Sequence, residues 1–219
     1  MKLLDEHMLN YITEHQPTYH AEAAYQLREF VMTKRYVLSE ITATTVNVGD
    51  PARAEVEAFI HAVFKRAYDA EITAFMPHLV ALRDNNGVLM AAFGLKKASE
   101  GPLFLEQYLD EPIESLLSKK LHKPISRDEI TKIGNLAVAN PRNAGVLIAH
   151  VIQHSLDMGI EWCVATAHHS LQNGVVKGGR DVYPLFPADK ARLSPEEQTK
   201  WGSYYKHMPQ VIAIRGTAE

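Results

Sequence analysis

The chain has 219 residues, 46% of them hydrophobic and 22% charged, with a formal net charge of −3. That balance fits one folded domain of ordinary size rather than a disordered chain, and it lacks the basic excess that nucleic-acid binding asks for. The single cysteine, Cys163, cannot close an internal disulfide and lies in an apolar run, where a buried, inert thiol is expected.

No apolar run approaches the roughly 18 residues of a spanning helix. Residues 1–15 are too polar for a signal peptide, so a cytoplasmic, reducing location is the expectation. Residues 1–36 read as a partly helical extension, with Ala24, Leu27, Phe30 and Val31 at helical spacing, and residues 37–219 as one domain. Residues 37–48 are β-branched and predict the first strand. Asp50-Pro51 predicts an N-cap followed by proline at the first helical position. The helix should run to about residue 68 with Val56, Phe59, Ile60, Val63 and Phe64 on one face. Residues 76–82 and 88–95 read as strands joined by Asp84-Asn85-Asn86-Gly87, a hairpin signal that makes them antiparallel. Residues 103–109 form a short helix or an extended segment, and Asp110-Glu111-Pro112 opens a helix over 113–121.

Residues 130–138 mix apolar Ile133, Leu136 and Val138 with small residues, a strand pattern that Asn140-Pro141 stops. Arg142-Asn143-Ala144-Gly145 follows as a loop. From Val146 the spacing turns helical through Leu147, Val151, Ile152 and Leu156, and Gly159 stands where a helix is capped. Trp162-Cys163-Val164-Ala165 predicts another buried strand. Strand, crossover helix and strand make a βαβ unit, so 130–138 and 161–167 should be adjacent and parallel. A short, glycine-weakened helix, an edge strand over 181–187 with two prolines, a helical turn over 195–200, an aromatic patch over 201–205 and a strand over 210–214 complete the chain. The class is α/β with a mixed sheet.

A helix N-terminus offers N–H groups and the positive end of a dipole to phosphate, Arg142 adds a cation, and Gly145 allows close approach. Arg-x-x-Gly at a strand-to-helix turn resembles the pyrophosphate loop of GNAT acyltransferases, although Leu147 stands where a second small residue is usual. The element order also matches that fold, in which the fourth and fifth strands splay apart and acyl-CoA enters the gap. Four segments, Phe75-Met76-Pro77-His78-Leu79, Gly101-Pro102-Leu103-Phe104-Leu105-Glu106-Gln107-Tyr108-Leu109, Ile133-Gly134-Asn135-Leu136-Ala137 and Trp201-Gly202-Ser203-Tyr204-Tyr205, together resemble the thermostable hemolysin family of the delta-hemolysin type. The stretch from Pro102 through the fourth strand is similar to acyl-homoserine-lactone synthases, a GNAT-like group.

The resemblance implies a GNAT-like N-acyltransferase fold with an N-terminal extension. It also implies an acyl donor, coenzyme A or the 4'-phosphopantetheine of an acyl-carrier protein, lying along Asn135, Leu136, Ala137 and Val138. The donor's phosphates would meet Arg142, Ala144, Gly145 and Val146, and Asn173 matches the asparagine such enzymes place near the cofactor. Two departures stand out. Lys132 occupies a position where the family often has an acid, and no tyrosine follows Asn173 to protonate a leaving thiolate.

For acyl transfer to a small amine, Glu106 in its apolar-aromatic setting can take the ammonium proton, or it can fix a loop by accepting backbone N–H bonds. Tyr108, Tyr204 and Tyr205 can serve as general acid or as buried structural tyrosines. His168 stands at the end of the fifth strand, where ligands bind at a switch point. His150 and His154 have metal-compatible spacing without an intervening zincin glutamate, and no metal is expected. His78 reads as core or as support behind the site. An acyltransferase is the leading reading and a non-catalytic, membrane-active hemolysin the alternative. A membrane contact and a homodimer stay open.

Overall fold

The computed structural model describes residues 41–216. The expected extension over 1–36 and the start of the first strand lie outside them. Seven strands form one sheet in the order β1-β2-β3-β4-β5-β7-β6. They are β1 Thr42–Asn47, β2 His78–Arg83, β3 Leu89–Lys97, β4 Ile130–Val138, β5 Trp162–Ala167, β6 Val182–Pro187 and β7 Gln210–Arg215. Every neighbouring pair is antiparallel except β4 and β5. Five helices pack on it: α1 Arg53–Tyr68, α2 Ile113–Leu121, α3 Ala144–Asp157, α4 His169–Lys177 and α5 Pro195–Lys200. No helix among the described residues is long and apolar enough to cross a membrane.

Strand alternation assigns the two faces. Val46, Leu79, Ala81 and Ala92 face Val56, Ile60 and Phe64 of α1, one helix turn apart. Val80, Leu82, Ala91 and Phe93 point the other way, into a core that includes Leu147 of α3. The hairpin forms as expected, with Asp84 Oδ1 accepting the N–H groups of Asn86 and Val88. β6 lies at the sheet edge, where its prolines cost no ladder bond on the open side.

Four boundaries differ from expectation. Asp50 closes the turn before α1, its Oδ1 accepting the Ala52 N–H at 2.8 Å, so the helix starts at Arg53 and Pro51 stays outside it. β2 starts at His78, because the Met76 backbone is bonded elsewhere, as described below. His78 is not core: its side chain is 43% exposed and bonds Asn47 Oδ1 at 2.7 Å. A 3-10 turn over Pro141–Asn143 runs straight into α3, so Ala144 and Gly145 are helical rather than loop residues. α4 runs two and a half turns despite its glycine, because Gly174 lets Ile148 of α3 come close: a Cβ there would lie 2.4 Å from Ile148 Cδ1.

β4 and β5 pair through only three positions, Ile130 with Trp162, Thr131 with Cys163 and Lys132 with Val164. Both strands continue, β4 to Val138 and β5 to Ala167, but beyond Lys132 they part. This is the divergence the βαβ reading asks for. The parting coincides with a left-handed residue in β4, Asn135 at φ 48°, opposite a register shift in β3 between Ala92 and Gly94.

The aromatic segment over 201–205 docks on the end of α1. Ser203 donates its N–H and hydroxyl to Tyr68 O at 2.7 and 3.1 Å, and Trp201 lies 6.2 Å from Phe64. Gly202 makes this possible at φ +50°, where a Cβ would stand 2.2 Å from Tyr68 O. Gly202→Ala should therefore cost about 2–4 kcal/mol, combining left-handed strain with a backbone clash. Chemical denaturation of both proteins tests this, and equal midpoints would refute the docking geometry.

Candidate active site

On the α1 side of the sheet the gap between β4 and β5 opens into a cleft of about 930 Å³. Its floor is Gly134, Asn135 and Leu136 of β4. Its walls are the 70–77 loop, Phe104 after β3, the end of β5 at Thr166 and His168, and the aromatic segment. The loop is clamped from two sides. Arg53 donates to Met76 O and Pro77 O, both at 2.8 Å, and Met76 N–H donates to Asn135 Oδ1 at 3.0 Å. Met76 then lies across Gly94 and Gly134, opposite each other on β3 and β4: a Cβ at either would stand 2.8 or 2.5 Å from its side chain. Asn135 thus works through its side chain, holding the loop, rather than as a bare strand residue.

Leu136 of the expected donor strand lines the cleft, Ala137 is buried, and Val138 is half-buried opposite Ala91. The β5-facing edge of 133–138 has no strand partner among the described residues. Ile133, Leu136 and Leu171 line the cleft and also an apolar pocket on the opposite face, between α3, α4 and β5, whose walls include Ile148, Ile152 and Val175. The two cavities therefore adjoin at these three residues.

His168 follows β5 and lines the cleft. Its Nδ1 faces Ser170 Oγ at 2.8 Å, and its Nε2 lies 3.5 Å from the Tyr68 hydroxyl. Burial first, then the charge of His207, hold its imidazolium below the ordinary histidine range. At neutral pH it is a proton acceptor. Tyr204 stacks edge-on against Tyr68 at 5.2 Å and donates to Thr166 O at 3.1 Å, with burial holding its phenol protonated.

Lys132 also faces the cleft, with Nζ 5.4 Å from the centre of the Phe104 ring. Burial, and then the charge of Lys96, bring its ammonium down to about 8. Sequence reading noted Lys132 only as a departure and missed its burial. A lysine inside an apolar strand was the available signal.

Glu106 is corrected. It does not line the cleft. Its carboxylate accepts from Arg127 at 2.7 and 3.2 Å, from Leu103 N–H at 2.7 Å and from Ile113 N–H at 3.2 Å. Burial alone would raise its pKa, but Arg127 and the two backbone donors outweigh it and hold the carboxyl below its usual range. In this position it fixes the 103–113 loop. Tyr108 does line the cleft. It is 1% exposed, packed with Leu105, Ile113 and Leu117, and its hydroxyl pairs with that of Tyr205. Burial pushes its phenol far above the ordinary range.

Asn173 is corrected as well. Leu171 and Val175 turn the apolar face of α4 inward, and Asn173, two residues from each, is exposed on the opposite side. Buried Gln172 instead ties α4 to Ala167 O and Gln210 Oε1 at 3.1 and 3.2 Å. At the start of α3, Arg142 is exposed and forms no ion pair among the described residues. Asn140 Oδ1 accepts its N–H at 3.0 Å, and the Ala144 N–H is already bonded to Pro141 O. Of the three expected amides, Ala144 is therefore occupied. Gly145 and Val146 sit in the first turn of α3. Cys163 is buried against Ser155 Oγ at 3.4 Å, with its thiol pushed up by burial, as an inert thiol requires.

A family model described as thermostable hemolysin matches residues 46–218. No curated protein matches. Among solved structures, that of the AHL synthase LasI aligns with a TM-score of 0.54 at 12% identity, covering 81% of this chain and 91% of that one. TofI in an apo form aligns at 0.52 and 16%, covering 81% and 92%. TofI in a ternary complex with an inhibitor and MTA aligns at 0.51 and 15%, with the same coverage. These likenesses show the fold alone, the GNAT-like one expected from the sequence.

Glu106→Gln separates the two roles of that residue. Because the folded carboxyl titrates below the unfolded one, its stabilisation is present above the unfolded value, about 4.3, and is lost as pH falls through the folded value. The variant should lose about 2 kcal/mol at pH 7 and show a shallower acid limb. Measuring unfolding free energy from pH 7 down to pH 3 tests this. Unchanged stability with lost turnover would restore Glu106 as a base.

Proposed function

The chain belongs to the thermostable hemolysin family, and from that premise we propose that it is an acyltransferase moving an acyl group from an acyl thioester to an amine. The observation that carries this is the parting of β4 and β5 after three paired positions, which leaves the strand edge over 133–138 open beside a deep cleft. An extended pantetheine arm suits that edge, because it can accept and donate hydrogen bonds as an added strand does. The likeness to an AHL synthase supports the same reading. The carrier is coenzyme A or an acyl-carrier protein. Its phosphates lie at the start of α3, by Arg142, Gly145 and Val146. Its acyl chain points toward Ile133, Leu136 and Leu171, the residues that adjoin the apolar pocket bounded by Ile148, Ile152 and Val175.

In this scheme the acceptor amine enters on the α1 side. Neutral His168 takes a proton from the ammonium, held by Ser170 and facing Tyr68. The freed nitrogen attacks the thioester carbonyl, whose oxygen meets an N–H on the open edge of β4. The N–C bond forms and the C–S bond breaks, and the thiolate leaves with the carrier and takes up the second proton that the nitrogen sheds as it becomes an amide. The Tyr68 hydroxyl is the donor nearest to His168 for that return.

With octanoyl-CoA or octanoyl-carrier protein and an amine, the protein should release free thiol and form an amide. His168→Gln should lower the rate about 10²- to 10⁴-fold. The wild-type rate should rise with pH through an inflection below the ordinary histidine range, and the variant should lack that inflection. A variant with wild-type rate and profile would remove His168 from catalysis. Dye release from liposomes by purified protein without any donor would favour the lytic alternative.

Arg142→Ala should weaken coenzyme A binding about ten- to hundred-fold, the loss of one charge-assisted contact. Added salt should weaken the wild type more than the variant. Titration calorimetry at two salt concentrations measures both, and equal affinities would move the phosphates elsewhere.

A further inference from the structure

We propose that the amine acceptor carries a carboxylate, as an α-amino acid does, and that Lys132 and Lys96 hold that carboxylate in the cleft. The inference rests on the acyl-transfer reading and deepens it.

Lys96 on β3 and Lys132 on β4 are direct cross-strand partners, so both side chains leave the same face of the sheet, and both line the cleft. Like charges placed directly opposite destabilise a strand pair. Folded proteins relieve such a pair with a carboxylate, and none does so here among the described residues. Lys96 donates to Pro102 O at 2.8 Å, and Lys132 lies over Phe104 without an ion pair. Two carboxylates also line the cleft, Glu100 at 3.5 Å from His78 and Glu197 at 3.6 Å from Lys200, and neither forms an ion pair with Lys96 or Lys132. Two cations thus share a partly desolvated corner with no ion pair to either among the described residues. Burial has lowered the Lys132 ammonium only to about 8, so it is still mostly charged at pH 7.

An anion from outside completes such a site. It is not the carrier's phosphate in this scheme. Lys132 stands at the last paired position of β4, whereas Arg142 lies beyond the other end of that strand. The anion therefore belongs to the acceptor. A carboxylate attached next to the amine is the compact group that two adjacent ammonium groups hold, while Phe104 and the aromatic segment restrict water.

The full chain is given octanoyl-CoA or octanoyl-carrier protein. Acceptors are an equimolar mixture of the common α-amino acids or a matched mixture of their carboxamides. Products are read by mass spectrometry and thiol release. N-octanoyl amino acids should exceed the amides about tenfold or more. Lys132→Met should raise KM for the best amino acid about ten- to hundred-fold, with kcat changed far less, so that acid and amide become similar substrates. Lys132→Arg should restore most of the preference, and Lys96→Met should weaken it independently. Amides used as well as acids by the wild type, or an unchanged KM in both Met variants, would overturn the carboxylate site and leave acyl transfer standing. No thiol release with any amine and either donor would overturn acyl transfer, and this inference with it.

Discussion

The clamp on Met76 is the constraint from which the site follows. A loop that crosses the end of a sheet leaves backbone groups to satisfy, and here two side chains take them. Arg53 reaches from α1 to the carbonyls of Met76 and Pro77, and Asn135 reaches from β4 to the Met76 N–H. The thioether then needs a surface without side chains, which Gly94 and Gly134 supply as facing neighbours. Asn135 serves this clamp in a left-handed conformation, and a strand with such a residue cannot keep a regular ladder on both edges. The clamp and the open strand edge are thus two results of one local arrangement.

Much of this fold was legible because two periodicities dominate it. The hairpin, the βαβ unit, α2, α5 and the proline-marked edge strand were readable from apolar spacing and turn chemistry alone. Met76 was misread as strand because its apolar character says nothing of where its N–H goes. Only the partner, 59 residues away, decides that. Asn173 was misplaced because a family position was carried over without asking which face of α4 the helix buries.

Glu106 and Lys132 make the opposite lesson. Both are charged residues in apolar surroundings, and the sequence left Glu106 open between a base and a loop brace. Arg127, 21 residues later, and two backbone N–H groups satisfy it completely, so its burial is structural. Lys132 has an aromatic ring and a second lysine for company. A partly buried charge that its own chain has neutralised is a brace, and one without an ion pair among the described residues is a place for something else to bind. The difference depends on partners distant in sequence, which local pattern cannot reveal.

The cleft and the apolar pocket lie on opposite faces of the sheet and adjoin beside β4, so the proposed reaction draws its two substrates from different sides. One chamber is built by α3, α4 and β5, the other by the 70–77 loop, Phe104 and the aromatic segment. Only Ile133, Leu136 and Leu171 belong to both. Drift in the helices can change the accepted chain length without touching the acceptor chamber, and drift in the loop can do the reverse. Such a scaffold can diversify along two nearly independent axes, and relatives that share this sheet need not share either substrate.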